Sequence, residues 1–313
     1  MAHYRYACLL PAGAQDAENH NQSLLGADTL GIEVTEETLA ARCGLGNIDP
    51  QHDGSGSTLA AIEAALDWPF PARNAILATI RPDLDSIGAM AVMTMRSKGQ
   101  DINQATRIRI AAIAKIDRFD RGPWPGPRSW PVSPGDLAED IGGGDTAVLA
   151  AAVRDMSKSM EDRVSVMRSW LEVGTVPAEL LDAARNRANM LWDALKNGEL
   201  QVNNVTAPGE VVEIKSTAQG ALRLGYRLAP VVMAINPQFE FPADGSRGKK
   251  YTIAQFDPGW INLTNVVEHL SRREQGWGGS ATIVGSPQGH PSRLEPDQVM
   301  SAIMSQLAQG KSS

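Results

Sequence analysis

The chain has few cysteines, few aromatic residues and no excess of positive charge. Its 313 residues include two cysteines, Cys8 and Cys43, so a cysteine-based zinc site is excluded unless histidines and carboxylates complete it. Aromatic residues make up 5% of the chain, and the seven tryptophans are scattered, which favours core positions over a base-stacking platform. Lys and Arg number 29 against 36 Asp and Glu, and this acidic balance argues against a protein dedicated to duplex nucleic acid.

Long hydrophobic runs are also absent. No window approaches the roughly 18 apolar residues that a membrane span needs. The first residues lack the basic and apolar regions of a signal peptide, so we expect a cytoplasmic protein with reduced thiols. Hydrophobic residues at 42% and charged residues at 21% are typical of a folded protein, and the length allows two domains.

The alternation of short apolar runs, loops and helix-like stretches predicts an α/β protein. We expect two α/β domains joined by a helical middle region, with the active site in the cleft between the domains. A proline-rich stretch at 123–134 cannot be a helix or an inner strand, so it is expected to be a long loop or a linker. The predicted boundaries are 1–135 for the first domain, 136–201 for the helical connector and 202–313 for the second domain.

Individual elements follow from the spacing of apolar residues. Residues 75–80 form a short apolar run that predicts a strand, and the next helical stretch is apolar on most sides, which is typical of a helix buried against a sheet. In the middle region, the spacing predicts one helix over 145–171 and a second over 177–198. Ser57 is the expected N-cap of a further helix over 57–68.

Two aspartates, Asp83 and Asp85, stand one residue apart between the predicted strand and the buried helix. Two carboxylates in one small volume repel each other, and this repulsion raises a pKa unless a cation holds both. Aspartate oxygens suit manganese or magnesium, and a helix N-terminus favours phosphate. The pattern therefore predicts a metal-dependent phosphoester site. The alternative is a simple turn in which Ser86 caps the helix.

The segment RPDLDSIGAMAV resembles the aspartate motif of the DHH phosphoesterase superfamily, which typically reads His-x-x-Pro-Asp-x-Asp. Pro82, Asp83 and Asp85 match this motif, whereas the histidine of the family falls on Thr79 and is missing. The resemblance implies that Asp83 and Asp85 are catalytic residues and metal ligands. The missing histidine supports an alternative, a catalytically inactive nucleotide-binding or regulatory protein on the same scaffold.

The second motif of that family, Asp-His-His, has its nearest match in NIDPQHDGSGSTLAAIEAAL. Asp49 takes the place of the aspartate and His52 of one histidine, so the resemblance implies that both bind metal and that His52 is catalytic. This segment precedes the aspartate motif, whereas in the family it follows, which implies a permuted chain order. Asp28 is a further predicted metal ligand, because a two-metal site needs more ligands. The alternative for this segment is a polar surface loop. Weaker candidates are His20, Asp117 and Asp120, the last two within an expected solvated loop.

Near the C-terminus, REQGWGGSATIVGSPQGHPS combines five glycines with a short apolar run. Paired glycines let backbone amides approach an anion, and neighbouring hydroxyl and guanidinium groups can bind it. The segment resembles the glycine-rich substrate-binding region of DHH phosphoesterases, with Ser280 where the family has histidine. The resemblance implies that Gly278, Gly279, Ser280, Ser286 and Arg273 bind the substrate. The alternative is a tight hairpin in which the glycines are present only because the backbone conformation requires them.

These features together predict a hydrolase that acts on a phosphodiester, a pyrophosphate or a short nucleotide. Asp49, His52, Asp83 and Asp85 are expected to hold one or two manganese ions, or magnesium in their place. The expected partner is a small nucleotide or phosphoester substrate rather than duplex nucleic acid or a membrane. A homodimer formed through the middle helices is compatible with both the catalytic and the inactive hypothesis.

Overall fold

The chain divides into two compact units, the first formed by residues 1–120 and 144–181 and the second by 121–143 and 182–313. This division differs from the predicted boundaries at 135 and 202, because the predicted helical connector is shared between the units. The computed structural model describes residues 4–11, 14–50, 57–69, 74–118, 122–130, 133, 136–137, 144–204, 210–218, 220–241 and 245–310.

The first unit is built on a parallel sheet with the strand order β1-β4-β2-β3. Its central strand, β4, carries Leu77 between Tyr6 on one neighbouring strand and Leu30 on the other. All residues of β2 and β4 are buried, as expected for a parallel sheet covered on both faces. The strands are β1 (Arg5–Cys8), β2 (Thr29–Ile32), β3 (Asn47–Ile48) and β4 (Ile76–Thr79).

Helices surround this sheet, and the helix after β4 is buried along most of its length. Every residue from Leu84 to Met95 of that helix is buried, which confirms the predicted buried helix. Side chains from neighbouring strands and helices, including Ile32, Leu77 and Met167, form one core with it. The helices of this unit are α1 (Ala17–Gln22), α2 (Glu37–Ala40), α3 (Ala61–Ala64), α4 (Leu84–Ser97), α5 (Gln104–Asp117), α6 (Asp145–Arg154) and α7 (Met160–Val173).

Two helix predictions for this unit need correction. The single helix expected over 145–171 is divided into α6 and α7, because Asp155 accepts hydrogen bonds from Ser157 and Ser159 starts α7 as its N-cap. The helix expected over 57–68 is regular only at Ala61–Ala64, and its N-cap position is Ala60 rather than Ser57.

The second unit contains a mixed six-stranded sheet of order β5-β6-β7-β8-β10-β9. β6 and β7 are parallel, and the other neighbouring pairs are antiparallel. Its elements are β5 (Gln201–Asn204), β6 (Val211–Lys215), β7 (Val231–Glu240), β8 (Arg247–Gln255), β9 (Gly278–Gly279), β10 (Ile283–Gly285), α9 (Ala221–Gly225), α10 (Leu263–Ser271) and α11 (Pro296–Gly310), together with most of α8 (Ala178–Lys196).

The proline-rich segment belongs to this second unit. The indole nitrogen of Trp124 donates a hydrogen bond of 2.8 Å to the carbonyl of Tyr226. Arg227 donates from Nε to the carbonyl of Ser129 at 2.8 Å, and the backbone N–H of Arg128 donates to Arg227. The described part of this segment is therefore an ordered loop fixed to the unit. Among the helices that the structure describes, none is long and apolar enough to cross a membrane.

Candidate metal centre

Asp83 is the N-cap of α4, where its side chain is held by local hydrogen bonds. Its Oδ1 accepts from the backbone N–H groups of Asp85 and Ser86 at 3.1 and 3.0 Å. The Ser86 hydroxyl in turn accepts from the backbone N–H of Asp83, so Ser86 completes the cap but is not the N-cap residue. Oδ2 of Asp83 lies 3.8 Å from Nε of Arg81. The predicted turn with a cap is therefore present.

Asp85 points to a different helix. Its two carboxylate oxygens accept hydrogen bonds from the first backbone N–H groups of α3, at 2.6 Å from Ala61 and 2.9 Å from Ile62. These donors have no partner within their own helix, so Asp85 stabilises the start of α3. A carboxylate oxygen keeps further acceptor capacity after one hydrogen bond, so this contact leaves Asp85 able to bind a cation.

Two more acidic residues follow the neighbouring strands. Glu33 comes directly after β2 and Asp49 directly after β3. Because the strands are parallel, their carboxyl ends lie at the same edge of the sheet as the residues that follow β4. Glu33 has a positive φ of 51°, which is uncommon for a residue with a side chain, and its backbone N–H donates to Ile48.

A fifth carboxylate near this edge of the sheet belongs to a helix and does not follow a strand. Asp117 is the last residue of α5, and Glu33, Asp85 and Asp117 each offer a carboxylate oxygen within 4.8 Å of the other two. The prediction that Asp117 lies in a solvated loop is wrong, since the residue is partly buried at a helix end. These three residues, with Asp49 and Asp83 beside them, are called the acidic cluster below.

The electrostatics of the acidic cluster are unfavourable without a cation. Burial, followed by the charges of Asp83, Asp85, Asp117 and Asp49, raises the pKa of Glu33 to about 10. Burial, followed by the charge of Asp117, raises the pKa of Asp85 to about 7, although the α3 hydrogen bonds act in the opposite direction. Glu33, and Asp85 in part, thus hold protons at neutral pH that isolated carboxylates would have lost.

The other predicted ligands lie elsewhere or outside the described residues. Asp28 precedes β2 and is exposed at the amino end of that strand, whereas the acidic cluster lies at the carboxyl end, about 16 Å along the chain. The structure therefore does not bring Asp28 to the cluster. His52 lies outside the described residues, as does Asp120. Thr79 is buried and accepts a hydrogen bond from the backbone of Arg81, so it supplies no substitute for the motif histidine.

The predicted substrate-binding segment forms a hairpin in the second unit. Gly278 and Gly279 make up β9, which pairs with β10, and the backbone N–H of Ser280 donates to the carbonyl of Ile283 at 2.7 Å. Ser286 is buried, and its hydroxyl accepts from the backbone N–H of Tyr251. Substrate binding at this segment stays a prediction, as it does for Arg273, which is exposed just after α10.

Glu33 was missed in the sequence, although a weak indication was present. The run LGIEV reads as one strand, and Glu33 is its only charged residue. A charged residue in such a run indicates that the buried strand has ended. In α/β sheets, the residues that follow the carboxyl ends of parallel strands are where ligands bind. Asp117, a weaker candidate in the sequence, could have been placed at a helix end rather than in a loop by recognising α5, whose residues Ile110 and Ile113 are buried.

Comparison with known proteins adds little. No family model matches the chain, and no curated protein matches it. Among solved structures, a pGpG-specific phosphodiesterase from Vibrio, PggH, matches with a TM-score of 0.43 and 11% sequence identity, over 91% of this chain and 99% of that chain. A similarity at this level does not establish a common fold or activity.

Proposed function

We propose that the protein is a metal-dependent phosphoesterase that acts on a phosphodiester, a pyrophosphate or a short nucleotide. The observation that carries this proposal is the meeting of Glu33, Asp85 and Asp117 oxygens within 4.8 Å at the carboxyl end of a parallel sheet. Asp83, in the motif that resembles the DHH phosphoesterases, lies beside them.

The donor set fits a hard divalent cation. All five side chains of the acidic cluster offer carboxylate oxygens, which manganese and magnesium prefer. Glu33, Asp85 and Asp117 would hold the cation, with Asp49 and Asp83 completing the site. A divalent cation supplies neutralisation of phosphoryl charge and makes a nearby water molecule more acidic.

The chain itself contributes rigidity and orientation. The hydrogen bonds from α3 fix both oxygens of Asp85, and those from α4 fix one oxygen of Asp83. Carboxylates that are held in this way need little rearrangement on binding. The protons that Glu33 and Asp85 hold at neutral pH would be released when a cation binds, so affinity should increase with pH.

The test is a manganese-binding isotherm on chelator-treated protein, with Asp83→Asn and Asp85→Asn as variants. We expect binding in the parent protein and a loss of affinity of more than about tenfold in each variant. Asp28→Asn is the matched control, because it removes a carboxylate at the opposite end of β2 and should leave the isotherm unchanged.

A screen of phosphodiesters and short nucleotides with the manganese-loaded parent then separates the two hypotheses for function. Turnover that is lost in Asp85→Asn supports the phosphoesterase. Tight manganese binding without turnover of any substrate favours the inactive nucleotide-binding protein, for which the missing histidine at Thr79 is the supporting observation. A folded parent that binds no manganese would refute the metal site itself.

A further inference from the structure

A cavity of about 480 Å³ opens in the second unit, where β8 ends and α10 begins. Its lining includes Trp260, the first residues of α10, Ala281 of the β9–β10 turn and Gln306 of α11. Within the part of the chain that the structure describes, none of the lining side chains carries a charge. The volume suits a small organic ligand, and the lining does not suit an anion that needs a cationic partner.

The walls of this cavity are fixed before any ligand arrives. Gln255 is buried, with 3% of its surface exposed, and its Oε1 accepts from the backbone N–H groups of Trp260 and Ile261, both at 3.1 Å. Its Nε2 donates to the carbonyl of Ala281 at 2.6 Å. One buried amide thus joins two segments of the wall, so a ligand would meet a preformed site.

Trp260 presents an aromatic ring whose position is set by two contacts. Its indole nitrogen donates to Oδ1 of Asp257 at 2.9 Å. Its ring packs edge to face with Trp124, at a centroid distance of 5.9 Å and an interplanar angle of 87°. Because the indole is fixed and lines the cavity, it offers a stacking surface to a planar ring.

Two amides line the same cavity with unused hydrogen-bonding capacity. Nδ2 of Asn265 donates to Oε1 of Gln306 at 3.1 Å. This contact leaves the Asn265 Oδ1 acceptor and the Gln306 Nε2 donor without a partner among the described residues. A neighbouring acceptor and donor match the edge of a nucleobase, which carries both groups side by side.

We propose that this cavity binds a nucleobase, with the base stacked on Trp260 and its edge hydrogen-bonded to Asn265 and Gln306. The proposal rests on the proposed function for its role, since a nucleobase is part of a nucleotide substrate. Base binding itself needs no metal, so it can be measured independently.

The test is equilibrium dialysis of labelled adenosine against full-length, chelator-treated protein, with unlabelled inosine, uridine and inorganic phosphate as competitors. We expect saturable adenosine binding that the nucleosides displace and inorganic phosphate does not. Trp260→Ala should weaken binding by about tenfold or more, the usual effect of losing a stacked aromatic side chain, and Trp260→Phe should restore most of it. Gln306→Ala should weaken binding by roughly fivefold without affecting the fold.

Trp192→Phe, in α8, is the control for removal of a tryptophan, and it should leave adenosine binding unchanged. Absence of adenosine binding by the folded parent would overturn the proposal. Equal binding by the parent and the Gln306→Ala variant, or displacement by inorganic phosphate, would also overturn it. None of these results would affect the manganese isotherm, so failure of the base site and failure of the metal site remain distinguishable.

Discussion

The acidic cluster differs from the hairpin of β9 and β10, called the glycine hairpin below, in whether contacts within the protein explain why its residues are present. In the hairpin, contacts within the segment explain the residues. A side chain at Gly279 would collide with the backbone of Ile283, and the hydroxyl of Ser280 accepts a hydrogen bond from the backbone N–H of Thr282. In the acidic cluster, burial and neighbouring carboxylates raise the pKa values of Glu33 and Asp85 above their ordinary range. The sequence predicts a function both for the aspartate motif within the cluster and for the glycine segment.

This difference shows which kind of observation indicates a ligand. A glycine in a hairpin is explained by the backbone alone and needs no ligand to justify it. Buried carboxylates that repel one another lower the stability of the fold, and a site of this kind is retained more readily when a cation compensates for it. The comparison can be tested by substitutions that should affect one region and spare the other.

The largest expected effect belongs to Gly279→Ala. Gly279 has a φ of 149°, and an added Cβ would lie 2.7 Å from Cα of Val284 and closer still to the carbonyl oxygen of Ile283. We expect the free energy of unfolding to fall by about 2 to 4 kcal/mol, measured by urea denaturation.

Gly278→Ala is the matched control for this substitution, because a Cβ at Gly278 meets no atom within 4 Å. Its stability should change by less than about 1 kcal/mol. If Gly278→Ala kept the stability but raised the KM for a phosphodiester, the hairpin would bind substrate as first predicted. The interpretation of its glycines as purely geometric would then be wrong.

Glu33→Gln should stabilise the metal-free protein while removing its response to manganese. Burial and four neighbouring carboxylates oppose the charged form of Glu33, so the parent must take up a proton when it folds, and a neutral amide needs none. At pH 8 we expect a gain of about 1 to 2 kcal/mol in the metal-free protein, allowing for the partial exposure of the side chain. Manganese, at a concentration that stabilises the parent, should stabilise the variant far less.

Thermal unfolding of both proteins, with and without manganese, checks this prediction. Glu36→Gln is a suitable control, because it removes a carboxylate three residues along the chain, outside the acidic cluster. A Glu33→Gln variant that is less stable than the parent without metal would show that Glu33 serves the fold rather than a ligand.

The stability of the metal-free protein should also fall as pH rises. The pKa of Asp85 is raised from 3.8 to about 7 and that of Glu33 from 4.5 to about 10. The folded state therefore holds protons that the unfolded state has lost above pH 5, and each further rise in pH makes folding less favourable. We expect a continuous decrease between pH 5 and 8 by chemical denaturation, and a smaller decrease in Glu33→Gln. A stability that increased over this range would contradict the raised pKa values.

The sequence predicted the α/β class and most long elements because their apolar spacing is strong. β4 and α8 lie within two residues of their expected bounds. The break between α6 and α7 was missed, since it depends on local hydrogen bonds of Asp155 and Ser159 that leave the helical spacing intact. Glu33 could not be joined to the motif from the chain order, because the pairing of β2 with β4 brings it there. Asp117 comes to the same place from the end of α5, which the chain order does not show either.

The smallest expected effect concerns Arg81, whose guanidinium is the exposed partner of the acidic cluster. Nε lies 3.8 Å from Oδ2 of Asp83, and 83% of the side chain is exposed, so solvent screens the pair. A cation at Asp83 would be repelled by this positive charge. Arg81→Gln should therefore tighten manganese binding by roughly twofold at low salt, equivalent to about 0.5 kcal/mol, and the gain should vanish at high salt. Arg107→Gln, at an exposed position of α5, is the control for a general change of net charge. If Arg81→Gln instead weakened manganese binding, the guanidinium would be positioning Asp83 for the cation, and its role would belong to the metal site rather than to the surface.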